Sequence, residues 1–550
     1  MERYTFGDFR FEFNEGDIFR VYWRGIEVAQ RIYVAVRDEA WNTIPAEIAN
    51  VKIDETSSSL QITFDAVNRY AEMNFAWQGK IIFSSNNVFS IQMLGKANSA
   101  FKYCKIGFNV HHGLGTHKGL TFISSSIEGL YRGEFGDEIM PQLVKNGTLT
   151  AMTPPYEDLS INYGDFIGHF HFSGDLFEMQ DHRNWGDDNW KSYGTPLAKG
   201  FPFDAKNGDL IEQTITFTVE EATQSSGRQE RALGIDSAGV LPYIGLNVLH
   251  QITKAEVDLL KPLRFDHLRV NLAFSSPNWD LFDSVVEAAR MLNSKIEVGL
   301  FLPENISASQ LKKFVEPLFE ERELVVRIFA LTEKSGYSAF QGATDPGLSG
   351  LLESALPTSD GIDISSGTDQ FFSDVNRLRP KYDSNTGLVF AYNPQVHSGD
   401  DLSIMQNASP IRDIATFIYG LYGTKKISLS PVEFLGAAGP FPLGPSPKNG
   451  LAPNVDPRLW GQLGAAWTCA LLAHSSVAKV HSLTLFEVSG PRGILGPGGE
   501  KTEIYSLLRE IAEARSQNMS LVKILATPDN QEVQLIFADS VGKNRVEIKR

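Results

Sequence analysis

At 550 residues the chain exceeds one ordinary core, and 42% hydrophobic against 21% charged residues excludes a disordered or fibrous protein, so two or three globular domains are expected. A formal net charge of −16 without a cluster of Lys and Arg excludes a polyanionic partner, because nucleic-acid binding needs cations gathered to neutralise phosphates. No apolar run reaches the ~18 residues of a membrane span, and MERYTFGDFRFEF carries no basic segment before an apolar run, so neither insertion nor export is signalled.

From residue 1 to about 220 the text reads as strands. FRFEF, IFRVYW, RIYVAVR, LQITFDA, IIFSS, FSIQML, KIGFNV, LTFISS, IGHFHFSG and QTITFTV recur with turn chemistry such as FNEGD, WQGK and SSNN between them. Many short strands without a convincing helix predict an antiparallel β-sandwich over residues 1–222. The polar stretch EEATQSSGRQER, residues 220–231, reads as a linker.

Beyond it, strands alternate with helices. LGIDSA is read as the first strand and is followed by TKAEVDLLKPL, a helix with Thr253 as N-cap. HLRVNL precedes the helix WDLFDSVVEAARML, KIEVGLFL precedes SASQLKKFVEPLFE, and LVVRIFAL is the fourth strand. GIDISSG, GLVFAYNP, KKISLSPVEF and HSLTLFEVSG follow as fifth to eighth. Eight strands with intervening helices predict a (β/α)8 TIM-type barrel over 231–515, and the tail 516–550 reads as a short C-terminal β segment. No G-x-G-x-x-G or Walker loop is present, so no cofactor is expected. Cys104 and Cys469 stand far apart in apolar settings, as reduced packing residues do, and a cytoplasmic location is expected.

In such a barrel the reactive groups stand just past each strand. The candidates are Asp236, then Arg269 and Asn271, Glu304, Glu333, Thr368 and Asp369. Further along come Asn393, Gln395, His397, Asp400 and Asp401, then Glu433, and Glu487 with Arg492. A ring of acids, amides, Arg and His suits a polyhydroxylated ligand, since each sugar hydroxyl both donates and accepts; any one of them, alternatively, caps a helix or satisfies a loop. An apolar strand delivers Glu487 directly to the mouth, and His397 in NPQVHSGDD has carboxylates close in sequence.

Glu333 and Glu433, after the fourth and seventh strands, form the pattern of a retaining glycoside hydrolase, although Thr332 precedes Glu333 where those enzymes usually carry Asn. The dense stretch DLFEMQDHRNWGDDNWKSYGTPL, residues 175–197, is read as an interface or structural loop with a reach toward the barrel mouth. His111, His112, His117, His169 and His171 lack a carboxylate or Cys at matching spacing, and no metal site is expected.

RIYVAVRDEAWNTIP (31–45), FEMQDHRNWGDDNWKSYGTPL (177–197), HLRVNL (267–272), GTDQFFSDVNRLRP (367–380), NPQVHSGDD (393–401), GAAWT (464–468) and FEVSGPRG (486–493) resemble the D-apionate lactonase family, over nearly the whole chain. The resemblance implies an esterase that opens a sugar-acid lactone, D-apionolactone, to D-apionate in bacterial apiose catabolism, so the expected partner is a small-molecule sugar lactone. Oligomeric state is not legible. Lactone hydrolysis needs an activated water, a stabilised oxyanion and an acid for the leaving alkoxide. Glu487 is the expected base, His397 the proton donor, and Arg269 or Arg492 the oxyanion partner; Asn271, Asn393, Gln395 and Asp401 bind ring hydroxyls. The alternatives are the glycoside hydrolase using Glu333 and Glu433, and an inactive carbohydrate-binding barrel.

Overall fold

The computed structural model describes residues 1–145, 148–222, 234–333, 342–356, 361–382, 386–423, 426–435, 452, 454–542 and 544–550; most of the expected linker lies outside them. They divide into two units. One holds residues 1–183 and 188–222, and the other holds 184–187 with the described residues of 234–435 and 454–550.

In the first unit, burial alternates residue by residue along Ser59–Tyr70 and Met73–Ser84, the period of a sheet with one wet face. An eight-stranded and a nine-stranded antiparallel sheet share one core. Phe11 of one stacks on Phe83 of the other at 4.1 Å, and Phe9 meets Phe83 and Phe89 edge-on. The result is a β-sandwich.

The second unit is a closed parallel barrel. Its strands are β1 (Tyr243–Val248), β2 (His267–Ala273), β3 (Lys295–Leu302), β4 (Val325–Thr332), β5 (Asp363–Gly367), β6 (Gly387–Tyr392), β7 (Ile427–Val432) and β8 (Ser482–Ser489), and β8 pairs back onto β1. Strands covered on both sides read as continuous apolar runs, and all six residues of β6 are buried. The helix Trp279–Leu292 shows how the outer layer is written. Asn278 caps it by accepting from Leu281 N, Asn293 ends it in the left-handed region, and Leu281, Phe282, Val285, Val286 and Ala289 form its buried stripe. Thr253 caps its helix as expected, and Glu256 completes a capping box with it.

The first strand differs from the expectation. Ile235–Ser237 does not enter the barrel; it pairs antiparallel with Ser520–Ala526 in a four-stranded sheet completed by Val533–Ala538 and Arg545–Lys549. A three-residue run with Asp236 and Ser237 exposed cannot supply a strand buried on both faces, whereas YIGLNV is buried after Tyr243. Asp236 pairs with Lys523 at 2.9 Å and so leaves the set of strand-end candidates.

This terminal sheet is tied to the barrel helices through a buried histidine. His474, on the helix Gln462–Val477, donates from Nε2 to Asn530 Oδ1 at 2.8 Å, and Asn530 Nδ2 donates to Met405 O at 2.9 Å. Burial, aided by the charge of Arg412, holds the imidazole down at about 3. Above its unfolded value near 6.5 both states are neutral; between about 6.5 and 3 only the unfolded chain takes up the proton. Stability is therefore expected to fall with acidification in that window, by up to roughly 1.4 kcal/mol per pH unit from this group. His474→Gln should flatten the slope in denaturant titrations; an identical slope in the variant would exclude His474 as its source.

Among the described residues no helix is long and apolar enough to cross a membrane. Cys104 and Cys469 are free buried thiols, each pushed up to about 12 by burial.

Candidate active site

The alternation of β2 sends His267, Arg269 and Asn271 to one side of the strand, toward the barrel interior. Arg269 is 1% exposed, donates from Nη1 to Ser430 Oγ at 2.8 Å and from Nε to Asn271 Oδ1 at 3.1 Å. Burial lowers its guanidinium below the ordinary value, opposed by the charges of Asp369, Glu297 and Glu433. Arg269, Asn271, Asp369 and Glu433 are thus one electrostatic neighbourhood. Gly299 of β3 makes room for it, because a Cβ there would stand 2.3 Å from Asn271 Oδ1 and 3.1 Å from Arg269 Nη2. Gly299→Ala is expected to displace both side chains and lower kcat/KM about 10²-fold with the circular dichroism unchanged. Parent-like kinetics in the variant would show that the placement of Asn271 and Arg269 is unimportant.

On β8 the alternation is broken once. Its register against β1 runs from Leu246–Leu485 directly to Asn247–Glu487, leaving Phe486, at φ +47°, as the extra residue. A bulge of this kind shifts the side-chain phase by one. Ser482 and Thr484 face the interior, where they meet Ser428 and Ser430, and after the bulge Glu487 continues that face. Phe486 packs instead on Phe434 and Trp467. Glu487 forms an ion pair with Arg492, their side chains 12% and 18% exposed, while Glu487 N donates to Arg492 O at 3.2 Å across the turn. Glu487 Oε1, the oxygen paired with Arg492, is buried.

The segment after β6 builds a second group. Gln395 N donates to Asn393 Oδ1 at 2.8 Å, and Gln395 Nε2 donates to Asp456 Oδ2 at 2.7 Å. Burial pushes the Asp456 carboxyl up, but the hydrogen bonds and charge of Arg458 outweigh it and hold the group below the usual carboxylate range. Arg458 also reaches Asp401 at 2.6 Å. Asp401 is exposed, in the first turn of the helix Asp401–Gln406, whose N-cap is Asp400. Asn393, Gln395 and Asp401 are therefore joined through Asp456 and Arg458, two residues outside the sequence-derived set. No strand delivers them; the only local sign is the helix-starting Asp456-Pro457 pair.

His397 gains a partner that its own neighbourhood in sequence does not supply. Its Nδ1 lies 2.5 Å from Asp187 Oδ2, and Asp187 is held from its other oxygen by Asn407 Nδ2 at 3.1 Å. Asn407 Nδ2 also donates to Pro394 O at 2.8 Å, and Trp185 meets the imidazole edge-on at 5.3 Å. Residues 184–187, from the dense 175–197 stretch, belong to the barrel unit. Gly186 turns the chain at φ +86°, where a Cβ would press on the Tyr392 ring at 3.1 Å. A carboxylate at Nδ1 fixes the ring's orientation and tautomer. Asp187 and His397 are also residue types that ligate divalent cations.

Glu333 accepts from Ser275 N at 3.2 Å and pairs with its hydroxyl; Glu433 N donates to Tyr392 O at 3.0 Å; Glu304 is exposed; Thr368 Oγ1 accepts from Gln370 N at 3.0 Å. In the sandwich, His169 bonds Ser160 and Glu220, His171 bonds Asp158, and the buried His112 and His117 bond Ser192 and Tyr163.

A closed (β/α)8 barrel with a carboxylate–guanidinium pair and an imidazole–carboxylate pair at its C-terminal strand ends has the architecture of the barrel enzymes, whose active sites lie at that face. Residues 1–222 match the D-apionate lactonase N-terminal domain and residues 249–516 the D-apionate lactonase TIM barrel domain. The chain belongs to the D-apionate lactonase family. It is 22% identical over 519 residues to the D-apionate lactonase of Brucella anthropi, covering 89% of this chain and 83% of that protein. Among solved structures, a GH30 endoxylanase from Clostridium papyrosolvens C71 aligns over 57% of this chain and 82% of its own at 12% identity and a TM-score of 0.38. A β-glucuronidase from Ruminococcus gnavus aligns over 87% and 68% at 7% identity and a TM-score of 0.31. Neither likeness is close enough to carry any property to this chain.

Proposed function

We propose that this chain is a lactonase, a carboxylic ester hydrolase that opens the sugar-acid lactone D-apionolactone to D-apionate, and that it works in the cytoplasm on this small molecule. Membership of the family over both domains supports the reaction class. The observation that carries the mechanism is Glu487, a largely buried carboxylate at the end of β8 held through Oε1 by Arg492. In the proposed sequence Glu487 takes a proton from water as the oxygen attacks the lactone carbonyl carbon. A tetrahedral intermediate forms with negative charge on the former carbonyl oxygen. His397 gives a proton to the ring oxygen as the acyl C–O bond breaks, leaving a carboxylic acid and a hydroxyl, and the acid ionises.

Arg492 is assigned to holding Glu487, which leaves Arg269 with its Asn271 partner as the group for the oxyanion side. Asn393, Gln395 and Asp401, braced by Asp456 and Arg458, are assigned to the substrate hydroxyls. The test is proton release in weak buffer from a panel of aldonolactones including apionolactone, beside nitrophenyl glycosides. Acid release above the spontaneous rate with the glycosides silent is expected; nitrophenol release with silent lactones would transfer the chemistry to Glu333 and Glu433. A second reading comes from the Asp187–His397 pair as cation ligands. Turnover that is lost in EDTA and restored by a divalent ion would make His397 a ligand instead of a proton donor.

A further inference from the structure

The opposite end of the barrel holds a cavity of about 740 Å³, lined by residues at or just before the starts of β1 to β5 and β8. This volume lies in the range of small-molecule sites. In most barrels this face serves stability and not chemistry. Here it is unusually charged.

At its floor Arg327 is 4% exposed, in contact with Glu297, Ser482 and His481, with Asp363 at 3.6 Å. Its Nε is buried without a hydrogen-bond acceptor. Burial holds His481 down at about 4, so it faces Arg327 as a neutral acceptor near pH 7. Each carboxylate of the lining has its own cation: Glu297 has Arg327, Asp266 has Arg515 at 2.7 Å, and Asp363 has Lys426 at 2.5 Å. Lys261, Arg264 and Lys295, exposed at the rim, have no carboxylate partner among the described residues; Lys295 Nζ donates to a carbonyl, Glu323 O, at 2.9 Å. Three uncompensated cations around one cavity stand out in a chain of net charge −16.

We propose that the N-terminal mouth of the barrel is a second ligand site, separate from the catalytic one, for a small metabolite bearing an oxyanion, either a carboxylate or a phosphate ester. The rim cations draw the anion in, and Arg327, a planar guanidinium with an unpaired Nε, lines the floor. A site on this face can be filled while the catalytic mouth is occupied, so its occupant is a regulator or a stabiliser of the barrel and not a substrate.

The experiment is calorimetric titration of the full chain at low ionic strength with D-gluconate, citrate, glucose 6-phosphate and inorganic phosphate, repeated on Lys261→Glu/Arg264→Asn. Asn keeps the left-handed backbone of position 264, where φ is +49°, and both sites are exposed, so the fold is retained. At least one probe is expected to saturate at one site per chain, with affinity falling about tenfold or more in the double variant and with added salt, while turnover without anion stays at the parent level. Saturation by the carboxylates alone or by the phosphates alone identifies the source. Absence of saturable binding, binding that the double variant leaves intact, or binding displaced by a lactone substrate would each overturn the proposal.

Discussion

Glu487→Gln is expected to lower kcat for lactone opening by about 10²–10⁴-fold, the usual contribution of a positioned general base, with substrate affinity little changed and the thermal midpoint lowered by the uncompensated Arg492. The amide keeps the shape of the carboxylate and an oxygen for Arg492, but it cannot take a proton from water. Because Glu487 and Arg492 are both largely buried, removing the charge at one leaves the other exposed to the desolvation it had shared. Arg492→Lys is therefore the informative companion, retaining charge without the fork of the guanidinium. Near-parent turnover in Glu487→Gln with an intact fold would dismiss it as the base. Attention would then pass to Glu433, the carboxylate that shares the field of Arg269 with Asp369.

The second large effect concerns Asp187. Asp187→Asn is expected to cost about 10²-fold in kcat, because an amide at this place no longer fixes the imidazole in the proton-donating arrangement. His397→Gln should cost at least as much, and the double variant no more than His397→Gln alone, since groups that act as a unit are not additive. Additive losses would mean that Asp187 works independently of His397. Loss of a bound divalent ion in both single variants would point to shared ligation.

How much of this was legible in the sequence follows the range of the interactions. Period-two burial along SLQITFDAVNRY, the Asn278 and Thr253 caps, and the apolar run GLVFAY each depend on residues within a few positions of one another, so the sandwich, the helices and the alternation of the barrel could be read locally. The first barrel strand could not, because LGIDSA and YIGLNV are both strand-like and only pairing with Ser520–Ala526, almost 300 residues away, assigns Ile235–Ser237 elsewhere.

The site divides in the same manner. That Glu487 ends a buried strand was a local fact, as was the presence of Arg492 in the following turn. That Glu487 and not Phe486 continues the interior face was decided by a bulge, which depends on the register of β8 against β1. Asp187 and His397 are 210 positions apart, and Gln395 and Asp456 are 61 apart. The sequence by itself determined which elements form and which side chains with useful chemistry stand near their ends, since propensity, capping and hydrophobic period act over one or two turns of chain. Only the tertiary structure decided which of those side chains meet, because hydrogen bonds and ion pairs act over a few ångströms of space and leave no periodic mark on the chain that carries them.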